Sequence, residues 1–280
     1  MSTIVANNNL KIALAQMASN DGDIELNVQK AVDVIIAAAK EKAAIVIFPE
    51  EYLTGYAPEL IESDVSRYTL TANDERLNPL LAVCKQQQIA AVIGAPTRVN
   101  DKLFISSIVI DRFGIEKIRY NKMNLDEDER KIYTAGSNLV MLELDGWQLG
   151  LAICYDSAFG EHARLLAQAG CQAYLVSALF TKGNGYDESE IRFAARAHDN
   201  TMYTTMTNYC GYTESRESCG LSRVWDPKGK VIEMASVENQ ELLYAEFDAE
   251  QLDEVRTENP VLIDSKKYEL RGIKLTTVKL

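Results

Sequence analysis

The sequence predicts an α/β fold, a four-layer α-β-β-α sandwich of two mixed sheets that pack on each other with helices outside. Short apolar runs alternate with segments of helical periodicity from residue 11 to about residue 247, and hairpin turns join several of these runs. The order helix, buried strand, helix, buried strand, hairpin occurs twice, before and after Lys122. Two sheets with helices on their outer faces would satisfy this pattern.

The individual elements follow from periodicity and from turn residues. In the first half, we predict a strand at 11–17, a helix at 26–39, a strand at 44–48, a helix at 75–87, a strand at 90–94, and hairpin strands at 103–111 and 115–120. In the second half, we predict hairpin strands at 139–144 and 147–153 around Asp145-Gly146, a helix at 158–169, a strand at 173–177, a helix at 188–200, a strand at 202–208, a hairpin turning at 226–229, and a strand at 242–247.

Composition narrows the functional classes. The net charge is −12 and the pI about 4.8, which argues against a nucleic-acid partner because such proteins favour basic patches. No apolar run approaches the roughly 18 residues of a membrane span. The N-terminus lacks the basic and apolar regions of a signal peptide. We therefore expect a cytoplasmic protein that binds neither nucleic acid nor membrane.

The chain shows no Pro/Gly/Ser-rich linker and no break in composition. We expect one large domain over residues 1–256. The residues at 257–280 are polar and irregular, and we expect a tail that is either disordered or docked on a partner subunit.

Cysteine and histidine usage argues against disulfides and metals. An odd number of cysteines without close pairing, five in all, indicates reduced thiols. The chain has two histidines and neither C-x-x-C nor H-E-x-x-H, so a zinc site is poorly supported and we expect no cofactor. We interpret His162 and His198 as structural or surface residues.

Three segments place a reactive group just after a predicted strand. Pro49 ends one strand because it has no N–H for the ladder, and Glu50 follows it. Lys122 follows the strand at 115–120, and Cys154 follows the strand at 147–153. A desolvated carboxylate can act as a general base, a buried ammonium can hold an oxyanion, and a thiol can act as a nucleophile. Each alone also fits a solvated glutamate, a surface lysine or a core cysteine.

Taken in order, the P-E segment at 49–50, Lys122 and the I-C-Y-D segment at 153–156 resemble the nitrilase superfamily of carbon–nitrogen hydrolases. Other short matches occur in the same order: 129–136 with the family's E-x-x-x-[FY]-x-x-G stretch, 159–164 with F-P-E-x-x-R, 196–200 with R-A-x-x-N, and 220–229 with the G-x-S…D-P-x-G hairpin. The resemblance covers residues 10–250. Asn124 stands where the family often has histidine, and Gly160 where it often has proline.

The resemblance implies a mechanism. Cys154 would attack a carbonyl carbon, and Glu50 would take the thiol proton and later donate one to the leaving amine or ammonia. Lys122 and the backbone N–H of Tyr155 would hold the oxyanion, and water would then hydrolyse the thioester. Glu129 would position the substrate or tune Lys122. Burial raises the pKa of a carboxyl and a nearby ammonium lowers it, so the protonation of Glu50 cannot be predicted from sequence.

The substrate branch follows from the residues after the cysteine. Tyr155-Asp156 resembles the amidase and carbamoyl-hydrolase branches, whereas the nitrile-cleaving branch usually has Trp-Glu. We expect a small amide or carbamoyl substrate; a nitrilase, an acyltransferase and a non-catalytic scaffold are the alternatives. The family commonly forms homodimers or larger homo-oligomers, and the helix at 158–169 is a candidate interface. Candidate substrate contacts are Tyr52, Tyr56, the segment Ala178-Leu179-Phe180 and the loop at 209–217.

Overall fold

Two six-stranded sheets form the centre of the computed structural model, which describes residues 8–214 and 216–265. Their strands are β1 (Leu10–Gln16), β2 (Ile45–Ile47), β3 (Ala90–Val99), β4 (Lys102–Ile110), β5 (Glu116–Asn121), β6 (Met141–Leu144), β7 (Trp147–Ile153), β8 (Ala173–Ser177), β9 (Tyr203–Thr207), β10 (Tyr212–Thr213), β11 (Arg216–Glu217), β12 (Arg223–Trp225), β13 (Val231–Met234) and β14 (Glu241–Phe247). The first sheet has the order β14-β1-β2-β3-β4-β5 and the second β13-β12-β9-β8-β7-β6, while β10 and β11 form a separate small hairpin.

Both sheets are mixed, as predicted. In each, three neighbouring strands are parallel, β1-β2-β3 and β7-β8-β9, and the outer strands are antiparallel. Parallel neighbours need a crossover, and helices supply it. The helices are α1 (Ile24–Lys40), α2 (Pro58–Ser63), α3 (Val65–Tyr68), α4 (Asn78–Gln87), α5 (Gly160–Gln168), α6 (Asn184–Asn200), α7 (Ala249–Glu258) and α8 (Val261–Asp264).

The core has three apolar clusters, and the alternation of side chains along each strand explains them. In β1, Ile12 and Leu14 belong to the cluster between the two sheets, whereas Ala13 and Ala15 belong to the cluster beneath α1 and α4. A third cluster lies between the second sheet and the helices α5 and α6. The four-layer α-β-β-α sandwich expected from the sequence is therefore confirmed.

The turn chemistry also follows the sequence. Asp145 and Gly146, which join β6 to β7, both have positive φ, 50° and 86°, as the favoured two-residue hairpin turn requires. The sequence analysis missed α2, α3, α7, α8 and the β10–β11 hairpin. In α7 only Leu252 and Val255 are buried, which is too few apolar positions for a clear helical period.

The expected boundary at residue 256 falls inside α7, and α8 follows it. Most of the expected tail, residues 266–280, lies outside the described residues. Among the helices that the structure describes, none is both long enough and apolar enough to cross a bilayer.

Candidate active site

The segment that follows β2 brings Glu50 into the interior. Phe48 N–H donates to Val92 O at 2.9 Å, and Pro49 ends the pairing. The turn packs closely on β3 at Gly94, where a Cβ atom would lie 2.1 Å from Pro49 O. The Tyr209 hydroxyl donates to Glu50 O at 2.6 Å. These contacts fix the backbone of a glutamate whose side chain is buried.

Lys122 enters the same interior from the end of β5. The backbone N–H of Lys122 donates to Ile105 O at 2.8 Å, and this bond extends the pairing of β5 with β4. The side chain is 1% exposed, and Nζ lies 2.7 Å from Glu50 Oε1 and 2.6 Å from Glu129 Oε1. A buried ammonium needs such partners, because desolvation otherwise favours its neutral form.

Glu129 lies in a short 3₁₀ turn, and its carboxylate, which contacts Lys122, is held by further hydrogen bonds. Its Oε1 also accepts the hydroxyl of Tyr56 at 2.9 Å, and its Oε2 accepts the N–H of Asp126 at 3.0 Å. The carboxylate is therefore hydrogen-bonded on both oxygens and held in one orientation.

Cys154 stands on a tight turn where β7 ends and a 3₁₀ turn, Cys154–Ala158, begins. Its φ is +40°, a conformation that non-glycine residues rarely adopt and that often marks a functional site. The thiol donates to Leu179 O at 3.6 Å. The thiol is also a neighbour of Glu50 and lowers the pKa of that carboxyl, although burial outweighs this effect. Five cysteines are free, and all but Cys154 are buried.

These groups meet at one pocket of about 190 Å³. Its lining residues are Glu50, Tyr56, Lys122, Asp126, Glu129, Cys154, Tyr155, Leu179, Phe180, Thr181, Gly185, Glu188, Arg192 and Arg216. Of the substrate contacts expected from the sequence, Tyr56, Leu179, Phe180 and, from the 209–217 loop, Arg216 line the pocket.

Tyr52 and Ala178 are not among the residues that line this pocket. Tyr52 is fully buried against Phe48, with ring centroids 5.1 Å apart. Ala178 continues the pairing of β8, since its N–H donates to Thr207 O at 2.9 Å, and its methyl group lies in the cluster beneath α5 and α6. The residues that follow it, Leu179 and Phe180, reach the pocket instead.

The charges and the burial of the pocket residues set the protonation of Glu50, which could not be predicted from the sequence. Burial raises the pKa of Glu50 from 4.5 to about 7, although Lys122 opposes the rise. Burial and the charge of Glu50 raise the pKa of the Cys154 thiol. Burial alone would lower the pKa of Lys122, but the charges of Glu50, Cys154 and Glu129 outweigh it and raise that pKa well above 10.5. The lysine is therefore an ammonium, and the thiol is protonated at neutral pH.

Asp156 supports the loops that carry Lys122 and Cys154, and the sequence analysis assigned it no role. Its Oδ1 accepts the N–H groups of Met123 and Asn124 at 3.1 and 2.8 Å and the side-chain amide of Asn124 at 3.0 Å. Its Oδ2 accepts Tyr120 OH at 2.6 Å and Ile153 N–H at 3.0 Å. This buried carboxylate ties the loop after Lys122 to the turn of Cys154. The available signal was the position of Asp156, two residues after Cys154.

The two histidines lie outside the pocket lining. His162 is buried, and its ring nitrogens lie 2.9 Å from Tyr120 OH and 3.0 Å from Tyr174 OH. The side chain of His198 is 62% exposed. Within residues 8–214 and 216–265, no group of three or more His, Cys, Asp or Glu side chains is placed to hold a metal ion.

Comparison with known proteins identifies the family. The sequence profile of the family described as carbon-nitrogen hydrolase matches residues 11–257. The chain belongs to the carbon–nitrogen hydrolase family. This hydrolase is 30% identical to the "Hydrolase in pqqF 5'region" of Pseudomonas protegens over 92% of its own length and 89% of the relative's. It is 28% identical to an (R)-stereoselective amidase of a Pseudomonas species, over 92% of each chain.

Among solved structures, the hydrolase resembles a cysteine-to-serine variant of the Nesterenkonia AN1 amidase from the nitrilase superfamily. The TM-score is 0.79 at 27% identity, over 89% of this chain and 95% of that one. A cysteine-to-alanine variant of the same amidase is known in complex with butyramide. A glutamate-to-glutamine variant carries the acetamide moiety of fluoroacetamide, added covalently at its active-site cysteine. Membership of the nitrilase superfamily, expected from the sequence motifs, is confirmed.

Proposed function

We propose that this carbon–nitrogen hydrolase cleaves the non-peptide C–N bond of a small amide or N-carbamoyl compound through a thioester on Cys154. The observation that supports it most directly is the meeting of a carboxylate, an ammonium and a thiol from three distant segments at one pocket. The amidases among the similar proteins support the amide branch.

The first step in this proposal is attack by Cys154 Sγ on the carbonyl carbon while the thiol proton passes to Glu50. Glu50 Oε2 is buried and has no hydrogen-bond partner among the described residues, so one oxygen is free to accept this proton. The pKa of about 7 suits the exchange, because a group that takes and returns a proton works best near the operating pH.

The oxyanion that forms is held by the Lys122 ammonium and the backbone N–H of Tyr155. Tyr155 lines the pocket and lies in the first turn of its 3₁₀ helix, where N–H groups have no partner inside the helix. Losing one such donor typically costs about 3 kcal/mol of transition-state stabilisation.

In the second half of the cycle, Glu50 acts first as an acid and then as a base. Glu50 returns its proton to the nitrogen, the C–N bond breaks, and ammonia or amine leaves a thioester on Cys154. Glu50 then takes a proton from water, whose oxygen attacks the thioester; the acid leaves and the thiol regains its proton. In this proposal, Glu129 holds Lys122 in place, as its 2.6 Å contact with Nζ suggests.

Several broader features belong to the same proposal. We propose one carbon–nitrogen hydrolase domain over residues 1–256, a C-terminal tail at 257–280 near a subunit interface, a homodimer or larger homo-oligomer, and a cytoplasmic location. Leu165 on α5 and Ile191 on α6 are 54% and 75% exposed, and exposed apolar side chains on neighbouring helices suit a subunit contact.

The test is a substrate panel of simple amides, N-carbamoyl compounds and nitriles, with ammonia release as the readout for the wild type and for Cys154→Ala. Ammonia from amides or carbamoyl compounds by the wild type alone supports the proposal. Faster release from nitriles would favour a nitrilase. Ammonia release that requires an added acyl acceptor and yields no free acid would favour an acyltransferase. No turnover across the panel, with Cys154 no more reactive than Cys84, would favour a scaffold.

A further inference from the structure

Two guanidinium groups lie on the aromatic walls of the pocket, outside the catalytic cluster. The guanidinium of Arg216, on β11, lies 4.8 Å from the ring centre of Tyr56. That of Arg192, on α6, lies 5.6 Å from the ring centre of Phe180. Both arginines line the pocket. Stacking of this kind satisfies the face of a guanidinium and leaves its N–H edge free to bind a ligand.

The hydrogen bonds of these arginines are few. A guanidinium has five N–H donors. Arg192 donates to Glu188 at 2.6 Å, and Arg216 reaches Glu214 only at 3.4 Å. Neither has a further protein acceptor among the residues that the structure describes. Most of their donors therefore remain available in a pocket whose arginine side chains are only 16% and 33% exposed.

The two acidic side chains that line the pocket outside the catalytic cluster each accept hydrogen bonds on one oxygen. Glu188 accepts from Arg192, and Asp126 Oδ1 accepts the N–H groups of Asp128 and Glu129 at 3.0 and 2.9 Å. The unused hydrogen-bonding capacity of this part of the pocket is therefore mainly that of cationic donors, and it suits an anion.

The β10–β11 hairpin that carries Arg216 is held by contacts with the rest of the protein on both of its strands. Asp21 accepts the Thr213 hydroxyl at 2.9 Å and the N–H of Glu214 at 2.6 Å. Lys182 pairs with Glu217 at 2.6 Å on the other side of Arg216. An arginine on an anchored hairpin loses less freedom on binding than one on a mobile loop, which increases the affinity it contributes.

We propose that Arg192 and Arg216 are specificity residues that bind a carboxylate at the end of the substrate remote from the scissile amide. The substrate class is then a short ω-amide, the monoamide of a small dicarboxylic acid. This inference rests on the proposed amide hydrolysis, because it places the amide at Cys154 and the carboxylate at the arginines. A short chain fits the volume of about 190 Å³.

The test compares three amides of equal chain length: glutaramate, its uncharged isostere with an isopropyl group in place of the carboxylate, and a cationic analogue with an ammonium group there. We expect kcat/KM for glutaramate to exceed that for the uncharged isostere at least about tenfold, mainly through KM, as charge-assisted hydrogen bonds suggest. Arg192→Gln and Arg216→Gln should each lower this ratio severalfold, and together should bring it close to one. Arg216→Glu should shift the preference towards the cationic amide.

Arg112→Gln is the matched control. It removes the same charge, but Arg112 pairs with Asp145 on the surface and does not line the pocket, so the ratio should stay at the wild-type value. Using the ratio of two amides separates specificity from any loss of folded enzyme. Equal turnover of the three amides, a cationic preference in the wild type, or an unchanged ratio in both arginine variants would overturn the inference alone. Failure to hydrolyse any of the three, with turnover of other amides or of N-carbamoyl compounds, would overturn the inference alone. Only the absence of turnover across the whole panel would overturn the proposed function and the inference with it.

Discussion

The protonation of Glu50 makes the most quantitative prediction. In the proposed mechanism the base is ionised Glu50 beside a protonated thiol, and burial raises its pKa to about 7. At pH 6 roughly a tenth of such a carboxyl is ionised, whereas a carboxyl with an ordinary pKa near 4.3 would be almost fully ionised. Because kcat/KM reports the free enzyme, it should fall at pH 6 to about a tenth of its plateau value.

The assay is ammonia release from an uncharged amide between pH 5 and 9, so that the substrate itself does not titrate. The variant Glu129→Gln tests the direction in which the pH profile shifts. The charge of Glu129 raises the pKa of Glu50, so its removal should move the acid limb of the profile to lower pH even if the plateau also falls. A wild-type profile that stays flat down to pH 5, or a Glu129→Gln limb displaced to higher pH, would refute this reasoning.

Three substitutions test the framework of the site. Gly94→Ala places a methyl group 2.1 Å from Pro49 O and should lower kcat more than about a hundredfold; near-wild-type activity with unchanged unfolding would contradict the proposed packing. Glu129→Gln keeps the shape of the side chain but removes a charge 2.6 Å from Lys122. We expect kcat to fall on the order of a hundredfold, with the free energy of unfolding little changed. Steady-state kinetics and urea unfolding measure the two effects. Asp156→Ala leaves several buried donors unpaired and should lower the free energy of unfolding by about 4 kcal/mol, which urea titration measures; a loss below about 1 kcal/mol would show that Asp156 does not tie the two loops.

Local patterns explain why much of the fold could be predicted. The parallel strands are buried on both faces, so they read as short continuous apolar runs, and Pro49 and Asp145-Gly146 mark where strands end or turn. The candidate catalytic residues Glu50, Lys122 and Cys154 each follow such a strand end, but the strand ends alone also fitted a solvated glutamate, a surface lysine and a core cysteine. The family resemblance distinguished between these interpretations. Glu129 came from a family motif alone, because nothing in its neighbourhood distinguishes it from the other acids of the 126–129 cluster.

The supporting contacts could not be predicted, because they join residues far apart in the chain. Tyr209 reaches Glu50 across 159 positions and Tyr56 reaches Glu129 across 73. Arg216 lines the pocket from β11, and this strand of two residues is too short to give a periodic signal in the sequence. The balance between burial and Lys122 at Glu50 depends on distances of a few ångströms, which only coordinates provide.

The central claim is that Cys154 forms a covalent acyl intermediate at this pocket. Rapid acid quenching of the wild type during turnover of an amide, followed by intact-mass and peptide mass spectrometry, tests it directly. We expect a mass increase equal to the substrate less ammonia, located on the peptide that contains Cys154 and missing in Cys154→Ala. Turnover with no such adduct, or an adduct on a different cysteine, would contradict the account.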